Sequence, residues 1–366
     1  MKRRYVDEFR DPAIAQKLIE IIHRISQNPV RLMEVCGTHT MSILRNGIRS
    51  LLPNTISLLS GPGCPVCVTA QEEIDAFIEI ARQDDVIMVT FGDLIRVPGS
   101  ESSLQNERAK GRDIRVVSSA FDAIRISKDN PDKKVVFAGI GFETTAPTVA
   151  SAITSCRKEG IRNFSVYSAH KRLLPALFAL MENHNVRIDG FLLPGHVSAI
   201  IGTEAYRAFF DANNIPCVVA GFEALDIIYA IFLLVEQIEK NEPNLVNSYQ
   251  RAVTSKGNLK AQAIMDDVFV RSDACWRGLG TIRGSGLDIG EGFSEFDAQE
   301  TFSFHVAESE ASSACACGDI LTGTKTPMDC PLYNKACTPM TPAGPCMVSS
   351  EGTCSAFYHY NTRGKD

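Results

Sequence analysis

Val135-Val136-Phe137-Ala138-Gly139-Ile140-Gly141-Phe142-Glu143-Thr144-Thr145-Ala146-Pro147 is the stretch that decides the fold class. Its first half is a strand without a polar face. A glycine turn follows, then Thr145 as N-cap and Pro147 in the first turn of a helix expected over 147–157. Strands that are apolar throughout belong to parallel sheets covered on both faces. The same order of strand, short turn and helix recurs on both sides. Further strands are expected at 32–35, 56–59, 86–91, 114–117, 164–167, 190–193 and 217–220, and further helices at 72–82, 120–126, 174–182, 204–211 and 223–239. An amphipathic helix with Ala13, Leu18, Ile19, Ile22 and Ile25 on one side precedes them. The chain therefore reads as α/β.

At 366 residues, more than one domain is expected. The polar run 127–134 interrupts the α/β region and suggests two similar parallel-sheet domains, 1–130 and 131–241. Beyond 241 the pattern turns helical and irregular, and from Ser312 it is rich in Cys, Pro, Gly and Thr. Such a segment buries little apolar area, so a cysteine-rich C-terminal domain, 242–366, should need a metal centre to order it. A net charge of −6 with no long block of one sign argues against nucleic acid and against a polybasic membrane anchor. The apolar run from Ile227 to Val235 is nine residues, where a membrane-spanning helix needs about 20. The first eight residues, Met1 to Glu8, lack an apolar signal core, so a cytoplasmic protein is expected.

Twelve cysteines in such a chain point to metal or redox chemistry rather than structural disulfides. Cys315, Cys317, Cys330, Cys337, Cys346 and Cys354 crowd into forty residues and read as one site. Zinc ligands come as two close pairs, whereas only one pair is close here, so an iron–sulfur cluster is expected ahead of zinc. A cubane takes four thiolates, leaving two thiols spare. Gly61-Pro62-Gly63-Cys64-Pro65-Val66-Cys67 follows a strand and precedes a helix, an arrangement that suits a disulfide able to open and close. Cys36-Gly37-Thr38-His39 also follows a strand; Cys36 could be a nucleophile with His39 as base, or a thiolate metal ligand. Glu143, Asp93 and His196 stand at further strand ends, where open α/β sheets place their sites, although a capping Asp and a satisfied loop His are common. Gly139 and Gly141 lack the rest of a nucleotide-binding motif. Cys156, Cys217 and Cys275 have no partner spacing and read as small buried hydrophobes.

Taken together, Cys36-Gly37-Thr38-His39-Thr40, the Gly61–Cys67 motif, Gly141-Phe142-Glu143-Thr144-Thr145-Ala146-Pro147 and the tail from Cys315 through Gly344-Pro345-Cys346-Met347-Val348-Ser349-Ser350-Glu351 to Cys354 resemble the HypD-type [NiFe]-hydrogenase maturation factors. The resemblance spans almost the whole chain. It implies two similar α/β domains and a C-terminal [4Fe-4S] domain similar to the ferredoxin:thioredoxin reductase site. It further implies a scaffold and redox partner for building the Fe(CN)2CO unit. On that likeness Cys36 holds the iron with His39 nearby, and Cys64 and Cys67 are the redox pair. The cluster falls to Cys315, Cys330, Cys337 and Cys354, and an adjacent switchable disulfide to Cys317 and Cys346. A small HypC-type chaperone and a HypE-type protein delivering cyanide from a C-terminal thiocyanate are the implied partners. Two other readings use the same residues: a cluster-linked thiol–disulfide oxidoreductase acting on protein disulfides, and a zinc-stabilised adaptor.

Overall fold

The computed structural model describes residues 10–183, 185–304 and 314–360; the Met1 to Glu8 reading lies outside them. Eleven strands are present among these residues: β1 Val30–Glu34, β2 Ile56–Ser60, β3 Val86–Thr90, β4 Asp113–Val116, β5 Lys134–Gly141, β6 Phe164–Lys171, β7 Gly190–Pro194, β8 Cys217–Ala220, β9 Leu245–Asn247, β10 Phe269–Trp276 and β11 Gly280–Ile289. They form two sheets, ordered β2-β1-β7-β8-β9 and β10-β11-β6-β5-β3-β4. Every pairing in the first is parallel, as are those joining β6, β5, β3 and β4 in the second. The α/β class and all eight expected strands are thus observed.

Sheet membership does not follow the expected boundaries. β1 pairs with β2 on one side and, on the other, with β7, which lies far along the chain, while β3 to β6 make the second sheet across residue 130. The polar run is only the loop that links the helix Ala120–Asp129 to β5. Nor is the stretch after 241 merely helical and irregular. It supplies β9 to the first sheet, and the β10–β11 hairpin pairs antiparallel with β6. No continuous apolar run marks β10: Arg271, Asp273 and Cys275 alternate along one face and are turned to solvent. Cys275 is accordingly exposed, against the expectation of burial, because alternation along β10 points it outward and its neighbour Trp276 inward. Cys156 and Cys217 are buried as expected.

Each sheet is covered on both faces. One contiguous core takes Met33, Phe191 and Val219 from the first sheet together with Met88, Val136 and Ala138 from the second. The opposite faces pack separately, Leu32, Leu192 and Val218 in one cluster and Ile87, Val135 and Phe137 in another. The amphipathic helix Pro12–Ile25 lies on the helix Ala224–Lys240, which holds the nine-residue apolar run. Among the described residues no helix is long and apolar enough to cross a membrane. From Cys315 to Tyr360 the chain makes only short helices, Cys317–Leu321, Pro345–Val348 and Thr353–Tyr360 with the 3-10 turn Pro327–Asp329, separated by turns.

Candidate thiol and metal site

Parallel pairing puts the carboxyl ends of β1, β2, β7 and β8 along one edge, so Cys36, the Gly61–Cys67 turn, His196 and Phe222 all emerge there. Cys36 ends β1 and is the N-cap of the helix Gly37–Arg45. The glycine-rich turn crosses directly beneath it. The N–H of Gly37 donates to the Gly63 carbonyl at 3.1 Å, and a Cβ on Gly63 would lie 2.1 Å from the Cys36 nitrogen. Only glycine fits there.

Cys36 is enclosed in polar groups that are themselves buried. One Glu34 carboxyl oxygen accepts the Cys36 N–H at 3.2 Å and the other accepts the Thr40 hydroxyl at 2.5 Å. Burial pushes Glu34 up to about 8 despite those hydrogen bonds, so it is largely neutral at pH 7. The Cys36 thiol is pushed up to about 12, first by burial and then by the Glu351 carboxylate, with the His39 and Thr38 N–H groups opposing. An incoming metal cation would have to displace the thiol proton. His39 donates from Nε2 to the Gly221 carbonyl at 2.9 Å, leaving Nδ1 buried without a partner among the described residues. Burial pushes the ring down to about 4. Phe222 stacks on both His39, at 4.8 Å between centroids, and His196, at 3.8 Å. The fold thereby brings His196 next to His39.

Cys64 caps a single helical turn, Pro65–Val68, and is joined to Cys67 by a disulfide with the Cα atoms 5.2 Å apart. That turn packs against the tail helices Cys317–Leu321 and Pro345–Val348, which carry Cys317 and Cys346. There the Cys317 and Cys346 sulfurs are 2.9 Å apart. All six tail cysteines line one small cavity with Ile320, Tyr333, Gly344 and Met347. Among the described residues no group of three or more Cys, His, Asp or Glu stands in metal-holding geometry. The donor set is nonetheless what a thiolate-bound cluster requires: soft sulfur, from several loops, in an otherwise apolar pocket.

Polar contacts from the sheet ends hold the tail. Asp93 accepts from the Ser349 hydroxyl at 3.0 Å and from the Ser350 N–H at 3.1 Å, and Arg96 donates to the carbonyls of Pro339 and Val348. Thr38 donates to Glu351 at 2.5 Å, and a Cβ on Gly37 would meet the Glu351 Cβ at 2.6 Å. Glu351 therefore sits beside Cys36, although in the sequence it is only part of the tail motif and gives no sign of this. Glu143 is placed elsewhere. Its carboxylate accepts the Leu173 N–H at 3.1 Å, at the start of the helix Leu173–Glu182, and burial pushes it up to about 7. Thr145 occupies its N-cap position, but its hydroxyl turns back to the Phe142 carbonyl.

The HypD family model, described as the hydrogenase formation hypA family, matches residues 13–361. The chain belongs to the HypD family. Similar HypD relatives include the hydrogenase maturation factor HypD of Azotobacter vinelandii, 44% identical over 98% of this chain and 97% of that one. The factor of the same name from Escherichia coli is 42% identical over 98% of both chains. A putative hydrogenase expression/formation protein of Methanocaldococcus jannaschii is 41% identical over 96% of this chain and 98% of its own. The resemblance in the cysteine motifs is thus part of a similarity that runs the length of the HypD chain.

Proposed function

We propose that this hydrogenase maturation factor of the HypD family is the scaffold and redox partner on which the Fe(CN)2CO unit is assembled. The observation that carries the reading is the convergence of three cysteine groups far apart in sequence. The Cys64–Cys67 turn packs on the helices of Cys317 and Cys346, and the Cys36 helix packs on the helix Thr353–Tyr360 that contains Cys354.

Iron is the cargo. Low-spin iron(II) with cyanide and carbonyl ligands favours soft thiolate donors, which Cys36 and a cysteine of a small HypC-type chaperone supply. Cyanide arrives as a thiocyanate on a HypE-type donor. Cleaving its carbon–sulfur bond takes two electrons: the Cys64 and Cys67 thiols give up two protons and two electrons and close their S–S bond. One proton goes to the donor's thiol, the other to solvent as cyanide binds iron. Cys315, Cys330, Cys337 and Cys354 would hold a [4Fe-4S] cluster, with Cys317 and Cys346 the adjacent pair. When bound, such a cluster supplies single electrons for recharging the thiols. The protein's own groups keep the site dry, hold Cys36 neutral until iron arrives, and fix the His39 ring with Nδ1 unprotonated.

The test is an anaerobic infrared spectrum of the full chain purified with its small partner, where bound cyanide and carbon monoxide absorb apart from protein bands. Cys36→Ala is expected to remove those bands while leaving tail-bound iron unchanged. Bands that persist in the variant would show that Cys36 is not the iron ligand. Reduction of unrelated protein disulfides by a preparation that never carries the bands would favour the oxidoreductase reading.

A further inference from the structure

The short segment between Cys337 and Cys346 carries no charged side chain, yet its backbone reaches two of the tail sulfurs. Its course is fixed locally. Thr338 and Thr341 exchange backbone hydrogen bonds at 3.3 and 3.1 Å, and the Thr341 hydroxyl donates to the Ala336 carbonyl at 3.2 Å. That turn sends the chain back over Cys337. Pro342 has no N–H, so Ala343 carries the first free donor after the turn, and its N–H donates to the Cys337 sulfur at 3.3 Å. The next residue meets a second thiol. A Cβ on Gly344 would stand 2.9 Å from the Cys315 sulfur and 3.9 Å from the Cys317 Cβ. Gly344 is extended, at φ −155° and ψ 163°, so no left-handed turn asks for glycine there; the close approach does. A free thiol can swing aside from a methyl group, whereas a sulfur bound to iron is held in place. Gly344, in the wall of the cavity that all six tail cysteines line, is thus shaped for the loaded state. Two residues further on comes Cys346, whose sulfur lies 2.9 Å from that of Cys317.

We propose that the Ala343–Gly344 backbone sets the reduction potential of a cluster held in the tail: the Ala343 N–H donates to the Cys337 thiolate, and Gly344 lets the chain come close enough to hold that bond. The inference rests on the cluster reading given above. Hydrogen bonds to the sulfurs are one of the means by which a protein sets the potential of an iron–sulfur centre. The sign follows from charge. Reduction adds one electron from an external one-electron donor, and no bond forms or breaks. The sulfur then becomes the better acceptor, so the N–H favours the reduced state and raises the potential. A backbone donor suits the place because it brings no charge of its own into an apolar pocket. The same segment runs on into Cys346, so the group that tunes the electron source is joined to one of the sulfurs to be recharged.

The experiment uses the full chain, purified anaerobically with its bound iron and titrated with dithionite in the presence of viologen mediators. Electron paramagnetic resonance reads the reduced fraction. Ala343→Pro, which deletes the N–H and keeps a small apolar side chain, is expected to make reduction about tenfold harder, equivalent to about 59 mV for one electron. Gly344→Ala, which lifts the segment off Cys315, is expected to shift the midpoint in the same direction by about threefold in the reduction equilibrium. Met340→Ala, at an exposed position of the same loop, is expected to leave it unchanged. An unshifted Ala343→Pro overturns the proposal, as does a Met340→Ala that shifts as far, since that pattern marks general loosening of the loop. If Ala343→Pro loads no iron, Gly344→Ala decides. If neither loads, the parent decides: after exchange into heavy water, electron–nuclear double resonance of its reduced cluster should show a strongly coupled amide deuteron, and the lack of one overturns the proposal. A parent whose tail binds no cluster refutes the cluster reading itself; a loaded parent with insensitive variants refutes only the role of Ala343 and Gly344.

Discussion

Two regions of this molecule bring cysteines to the same place by different physical means. Cys36 and the Cys64–Cys67 turn sit on the ends of parallel strands buried on both faces, where backbone pairing and close glycine contacts fix every atom. The tail from Cys315 onward has only three short α-helices and a 3-10 turn, and its contacts are its own thiols, a shared apolar pocket and a few polar ties from Asp93, Arg96 and Thr38. The first site is built before any ligand arrives. The second is half built, and its stability should be inseparable from what its sulfurs hold.

The sharpest way to break this contrast is to remove the proposed cluster cysteines of the tail one at a time. Single Cys→Ala changes at Cys315, Cys330, Cys337 or Cys354, purified anaerobically, should lose the tail's iron entirely and leave residues beyond 314 open to limited proteolysis. The Cys317 and Cys346 variants should keep the brown chromophore. Bleaching in either would overturn the ligand assignment, and a protease-resistant tail in all four of the others would mean the tail is as preformed as the sheets.

Gly63→Ala attacks the opposite side of the comparison. Its new methyl would overlap the Cys36 backbone, an overpacking cost of about 3 kcal/mol. Thermal unfolding of the sheet region should fall accordingly while tail iron per folded chain is unchanged. A variant of parent stability would show that the turn can shift away from Cys36.

A pH effect of similar size is expected at Glu143. Its folded pKa of about 7 lies above the ordinary 4.5 of the unfolded chain, so the native state holds the extra proton between those values. Stability is therefore lost as pH rises through that window, by up to about 3 kcal/mol. Glu143→Gln, which still presents an acceptor to the Leu173 N–H, should abolish that loss and be the more stable protein above pH 7. Parallel stability curves from pH 5 to 8 would contradict the assignment.

Asp93→Ala should have the smallest effect. It removes the acceptor for Ser349 and Ser350, worth about 1–2 kcal/mol. Because the tie is local, hydrogen exchange should quicken around 346–351 and hardly change in the strands. Equal acceleration in both regions would show that tail and sheets unfold as one unit.

The sequence by itself determined the strand–turn–helix alternation, the placement of Cys36 and Cys64 at strand ends, and the crowding of six cysteines into one segment. These are local facts, carried by residue periodicity and spacing. The tertiary structure alone decided which strands pair, and so sent β1 and β2 to join β7 and β8 across the polar run that reads as a domain boundary. It alone exposed Cys275, brought Glu351 against Gly37, and turned Glu143 to the Leu173 N–H. The physical reason is common to all of these. Parallel partners and buried carboxylates are chosen by burial and hydrogen bonding between segments distant in sequence, and no local pattern of residues records that choice.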